Sequence, residues 1–103
     1  MTESPKDAAA LIIERLDQNF KPTRGLRYRI YVVNDVYDDS YNFFLDIKSK
    51  YTNERSIPLH SLEEYTLEYL ERVIRLVEMS TQMTIEFQHF EGLRWPVRQR
   101  LIK

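Results

Sequence analysis

The stretch "RYRIYVVNDVYDDSYNFFLDIK", residues 27–48, alternates arginine with tyrosine, crowds aspartates into its middle and leads out through aromatics. It reads either as a basic-aromatic binding strip or as a hairpin. Successive side chains of a strand point to opposite faces. Tyr28, Ile30 and Val32 therefore share one side, and Arg27, Arg29, Tyr31 and Val33 the other. In the second half, Phe43, Leu45 and Ile47 oppose Asn42, Phe44, Asp46 and Lys48. Both halves are rich in β-formers. A one-residue slip would move the apolar set to solvent, so burial selects a single register. It sets Tyr28, Ile30 and Val32 against Ile47, Leu45 and Phe43, with Val33 opposite Asn42. It also sets Arg29 opposite Asp46 and Tyr31 opposite Phe44. A cross-strand ion pair and an aromatic pair contribute about 0.2–1 kcal/mol each. The stretch thus has a structural explanation as a hairpin with an aspartate-rich loop. Arg27 opposite Lys48 is the pair that explanation does not cover.

Upstream, "SPKD" opens a helix over residues 5–19. Ser4 is a suitable N-cap, Pro5 fits the first turn, and Asp7 favours the positive helix end. Ala9, Ile12, Ile13, Leu16 and Phe20 recur at helical spacing, and Pro22 and Gly25 end the element. Downstream, residues 50–60 read as a loop with a short extended piece at "SIPL". Ser61 and Glu64 match a capping box, so a second helix is expected from there. Its apolar positions, from Leu62 and Tyr65 to Val77, cover roughly 200° of the wheel, wider than the usual stripe. Glu64, Glu68, Glu71, Arg72, Arg75 and Glu78 form the expected solvent face, with Glu68–Arg72 and Glu71–Arg75 spaced as ion pairs. A third strand is expected over residues 81–90, with Met83, Ile85 and Phe87 inward and His89 at the edge of the core. Residues 92–103 read as an extended segment and then a helical turn.

The fold class is α+β, in the order α-β-β-α-β plus a C-terminal tail. The expected sheet is small and mostly antiparallel, with three strands or a fourth from the tail, and both helices on one face. A right-handed crossover would lay the last strand beside the first, giving order 2-1-3. The 103 residues suit a single domain, with residues 1–4 and about 98–103 frayed.

Composition removes several function classes. The absence of cysteine removes disulfides, thiolate nucleophiles and cysteine-ligated zinc, and it fits a reducing, cytoplasmic setting. No apolar run reaches membrane-helix length, and no signal-peptide pattern opens the chain. Two isolated glycines cannot build a phosphate-binding loop. His60 and His89 lack the third partner of a nucleophilic triad. Asp35, Asp38 and Asp39 are the metal candidates, but they lack calcium-loop spacing. No metal or other cofactor is assigned.

The net charge is −1, yet residues 20–29 and 92–103 each carry four positive charges and no acid. The leading expectation is a small non-enzymatic interaction module: an adaptor, inhibitor or assembly factor. Arginine–tryptophan clusters resemble protein-binding hot spots, which marks Arg94, Trp95, Arg98 and Arg100. Tyr65, Tyr69 and Leu76, at one edge of the wide apolar arc, would meet another protein or form a homodimer. The second expectation is a nucleic-acid-binding module using residues 21–29 and 94–103, with Arg24, Arg27, Arg29 and Tyr31 as contacts. A hydrolytic or metal-dependent enzyme comes third.

Overall fold

The structure, a computed structural model, describes residues 3–21, 25–49 and 54–102. Its elements are α1 (Pro5–Asn19), β1 (Leu26–Asp35), β2 (Ser40–Ser49), β3 (Arg55–Leu62), α2 (Leu67–Ser80) and β4 (Ile85–Gln88). The α+β class and the two helices agree with the sequence reading, while the sheet has four strands in the order β3-β2-β1-β4. β4 lies beside β1 and parallel to it, as a crossover through α2 requires. Every pair of the β1–β2 register argued from burial is present, including Arg29 opposite Asp46, Tyr31 opposite Phe44 and Arg27 opposite Lys48.

That register separates two faces. Ile30, Val32, Phe43 and Leu45 are fully buried in one cluster with Ala8, Ile12 and Leu16 of α1 and Leu70, Val73, Ile74 and Val77 of α2. α1 occupies its expected residues, with the Ser4 hydroxyl accepting the Asp7 N–H at 3.1 Å. Between α1 and β1, Gly25 sits at φ +87°, which glycine adopts without steric cost.

β3 contains the extended piece expected at "SIPL" and lengthens it to Arg55–Leu62, where a loop was otherwise expected, while residues 50–53 of that loop lie outside the described residues. Its sequence conceals it for two reasons. Pro58 is tolerated because β3 is an edge strand. A bulge also breaks the alternation: His60 pairs with Phe43 but Pro58 with Phe44, so Leu59 is an extra residue. Buried Leu59 and Leu62 are consequently three positions apart instead of two.

Ser61 is therefore not a helix cap. It belongs to β3, and its hydroxyl donates to Asn42 Oδ1 at 2.7 Å. α2 starts six residues after Ser61 with Thr66 as N-cap, its Oγ1 accepting the Tyr69 N–H at 3.3 Å. Leu62 and Tyr65 precede the helix, while the arc's other positions, from Leu67 to Val77, are helical. β4 is also shorter than residues 81–90, and His89 departs from the strand at φ +68°, exposed to solvent.

Thr66→Ala is expected to cost about 1 kcal/mol by removing the cap. Chemical denaturation should show the larger loss there, and not in Ser61→Ala, whose hydroxyl makes only an exposed bond between strands.

Candidate functional site

The tail is the first place to look, and it begins in the core. Trp95 is 5% exposed and meets Phe87 edge to face, with ring centroids 5.4 Å apart. Phe87 contacts Phe90, Phe90 stacks on Tyr41, and Tyr41 meets Tyr65 at 4.8 Å. These five rings close one end of the core. The tail folds back on itself as a clasp, with Trp95 N–H donating to Arg100 O at 2.8 Å and Ile102 N–H to Leu93 O at 3.0 Å. The extended-then-helical reading is thus replaced by a short antiparallel turn. Near its end Ile102 is buried.

A carboxylate holds the clasp. Glu71, assigned by its helical position to the solvent face of α2, is 1% exposed. Its two oxygens accept the Val97 N–H at 2.8 Å and the Arg98 N–H at 3.1 Å. The Arg98 Nε lies 3.3 Å from Glu71 Oε2, and its Nη2 donates to Glu78 at 3.0 Å. The same guanidinium covers the Trp95 ring at 5.3 Å. Glu71 is spent on the tail and does not serve Arg75 as the i,i+4 spacing suggested. A wheel cannot show this, because Glu71's partners lie 26 and 27 residues away.

The remaining partner-binding candidates divide. The Tyr65 hydroxyl donates to Asn34 Oδ1 and the Tyr69 hydroxyl to Glu3 O, each at 2.6 Å. Both rings therefore tie the molecule together. Burial, with Glu3, Glu64 and Asp7 nearby, pushes the Tyr69 phenol up. Arg94 and Arg100 are exposed. Leu76 is half-buried and lines a hollow of about 560 Å³ with Ala9, Ala10, Ile13 and Met79. Across Met79 lies a second hollow, of about 540 Å³, lined by Arg75, Glu78, Met79, Val97 and Arg98. Met79 is 82% exposed and Val97 68%. Composition marked this surface through its arginines but not through these two side chains.

The sheet face away from the helices holds the nucleic-acid candidates. Arg29 is ringed by carboxylates, with Asp46 at 3.3 Å, Glu54 at 3.0 Å and Glu86 at 3.1 Å, and it covers Tyr31 at 5.1 Å. Burial works to lower its pKa, but Glu54, Glu86 and Asp46 outweigh that and raise it. Burial likewise pushes the Asp46 carboxyl up, while hydrogen bonds with Ser56, Glu54 and Arg29 bring it below its ordinary value. Arg29 is therefore already neutralised. Arg27 is exposed opposite Lys48, and Arg24 lies outside the described residues.

The loop aspartates shape the hairpin. Asp35 Oδ1 accepts the Asp38 N–H at 3.1 Å, and Asp39 adopts φ +50°. Among the described residues, no group of three or more His, Cys, Asp or Glu side chains is arranged to hold a metal ion. His60 Nε2 lies 2.7 Å from Glu3 Oε1, while Ser61, the next residue along the strand, bonds to Asn42. The pair is not aligned as nucleophile and base.

Glu71→Ala should cost about 3–5 kcal/mol, because it leaves two backbone donors and the buried Arg98 Nε without their carboxylate. Trp95→Ala should cost a similar amount, about 3–5 kcal/mol, and both are read by urea denaturation. Burial, with Tyr65 and Glu68 nearby, pushes the Tyr41 phenol up to about 12. Its folded pKa thus lies above the value of about 10 for the unfolded chain. The resulting stability is complete below about pH 10 and lost as pH rises towards about 12. Tyr41→Phe should remove part of that alkaline loss in denaturation curves. No family model matches this sequence, and comparison with curated proteins and with solved structures finds no match.

Proposed function

We propose that the protein is a small non-enzymatic protein-interaction module, and that it docks its partner on the surface where the C-terminal half of α2 meets the tail. The observation that carries this reading is the pair Met79 and Val97, 82% and 68% exposed, side by side in one arginine-rimmed hollow. An exposed methionine next to an exposed valine contributes little to the fold. Transferring both from water to a partner's apolar side chains gains about 1.5–3 kcal/mol each when burial is complete. Methionine adapts to varied partner shapes. Arg98 and Glu78 at the rim are paired with each other, so exposed Arg75 is the rim charge that favours a partner segment carrying an acidic residue beside apolar ones.

The pairing of Arg29, the arginine at the centre of the open sheet face, supports this assignment over nucleic acid. Arg29 already faces three carboxylates, and counterion release from a phosphate backbone requires cations free to replace the counterions. Among the described residues no helix is long and apolar enough to cross a membrane. With a cysteine-free chain, we place the module in the cytoplasm.

The double substitution Met79→Glu with Val97→Glu tests the surface. Both side chains point to solvent, so the melting curve should shift by no more than about 0.5 kcal/mol in stability. Affinity capture followed by mass spectrometry should recover a partner with the native chain and lose it with the variant. A partner retained by the variant at native yield would place the docking surface elsewhere.

A further inference from the structure

We propose that the partner segment seated in the Met79–Val97 hollow belongs to a second copy of this chain, which inserts Val36 and Tyr37 from the tip of its β1–β2 hairpin. This rests on the docking surface proposed above and names its occupant.

The tip is built in a way that folding does not require. Tyr37 is 99% exposed and Val36 59%, the former the most exposed large apolar side chain among the described residues. The turn itself is made by its aspartates: Asp35 holds the Asp38 N–H, and Asp39 takes the left-handed conformation. Turns select Gly, Asn, Asp, Ser and Pro for their backbone, and neither valine nor tyrosine serves that purpose. An aromatic side chain with all its surface in water is instead suited to filling a pocket, where tyrosine is among the residues that dominate binding energy.

The two surfaces are complementary in charge where the acidic tip meets Arg75. The tip projects two apolar side chains among three acids: Asp35, Asp38 and Asp39. The hollow offers about 540 Å³ between Met79 and Val97, with Arg75, Glu78 and Arg98 at its rim. Arg75 is exposed on α2, available to an incoming carboxylate, whereas Arg98 is shared with Glu71 and Glu78. One surface meets a different surface of the next copy, so the contact is heterologous. Copies then pair reciprocally, close a ring or extend a chain, according to the rotation between them.

Sedimentation velocity on the native chain, over a dilution series reaching about 1 mM, should show reversible self-association of the weak class expected for a small interface. It should weaken as added salt shortens the screening length from about 10 Å towards 3 Å. Tyr37→Ser and Met79→Lys should each weaken association by about tenfold or more, as loss of a central contact does. Mixed one to one, the two variants should associate, because the first keeps its hollow and the second its tip. A misfolded variant could not complement in this way. A native chain that stays monomeric throughout, variants that associate like the native chain, or a mixture that fails to associate would each overturn the proposal. If the native chain is monomeric but Met79→Glu with Val97→Glu still abolishes capture of another protein, only the second-copy assignment falls. If that capture also persists, the docking surface falls with it.

Discussion

The alternation of side chains in β1 and β2 is the constraint on which the rest of this structure depends. With Ile30 and Val32 set against Leu45 and Phe43, one sheet face is apolar, and the two helices must cover it. The same register aligns Arg29, Tyr31, Phe44 and Asp46 on the other face, where the Arg29–Asp46 ion pair links the strands without helical cover. β3 and β4 extend this arrangement at its two edges. A shift by one residue would reverse both faces at once.

A second constraint acts at the end of the core that the helices do not close. There the tail supplies Trp95 and Ile102, and a buried glutamate fixes its path. A carboxylate in such a place is tolerated because two backbone donors and a guanidinium satisfy it. The consequence for the surface is direct. Once Trp95 has gone inward and Arg98 has bent over it, Val97 at the turn is left pointing outward beside Met79. The proposed docking surface is a by-product of how the clasp closes.

Charge reinforces this division of labour. Arg29 of the sheet faces three acids and contributes to cohesion, whereas Arg75, Arg94 and Arg100 remain at the surface of α2 and the tail. The acidic hairpin tip carries the opposite charge. A chain with a net charge of −1 can therefore present strongly polarised patches while remaining nearly neutral overall.

The sequence by itself determined α1, the β1–β2 pairing down to individual residue pairs, and the placement of the last strand beside the first. The first two rest on local period and cap signals, and the third on the handedness of crossover connections. Tertiary structure alone decided β3, because a bulge and an edge proline erase its alternation until β2 is there to pair with. It also withdrew the cap role from Ser61, since pairing with Asn42 competes with the capping box. The inward turns of Glu71 and Trp95 were illegible for the same reason. The helical period places Glu71 with charged neighbours, and only the tail's backbone donors, far along the chain, make its burial favourable. Local periodicity reports what a segment prefers, but a polar group's burial depends on partners that only the folded chain brings within reach.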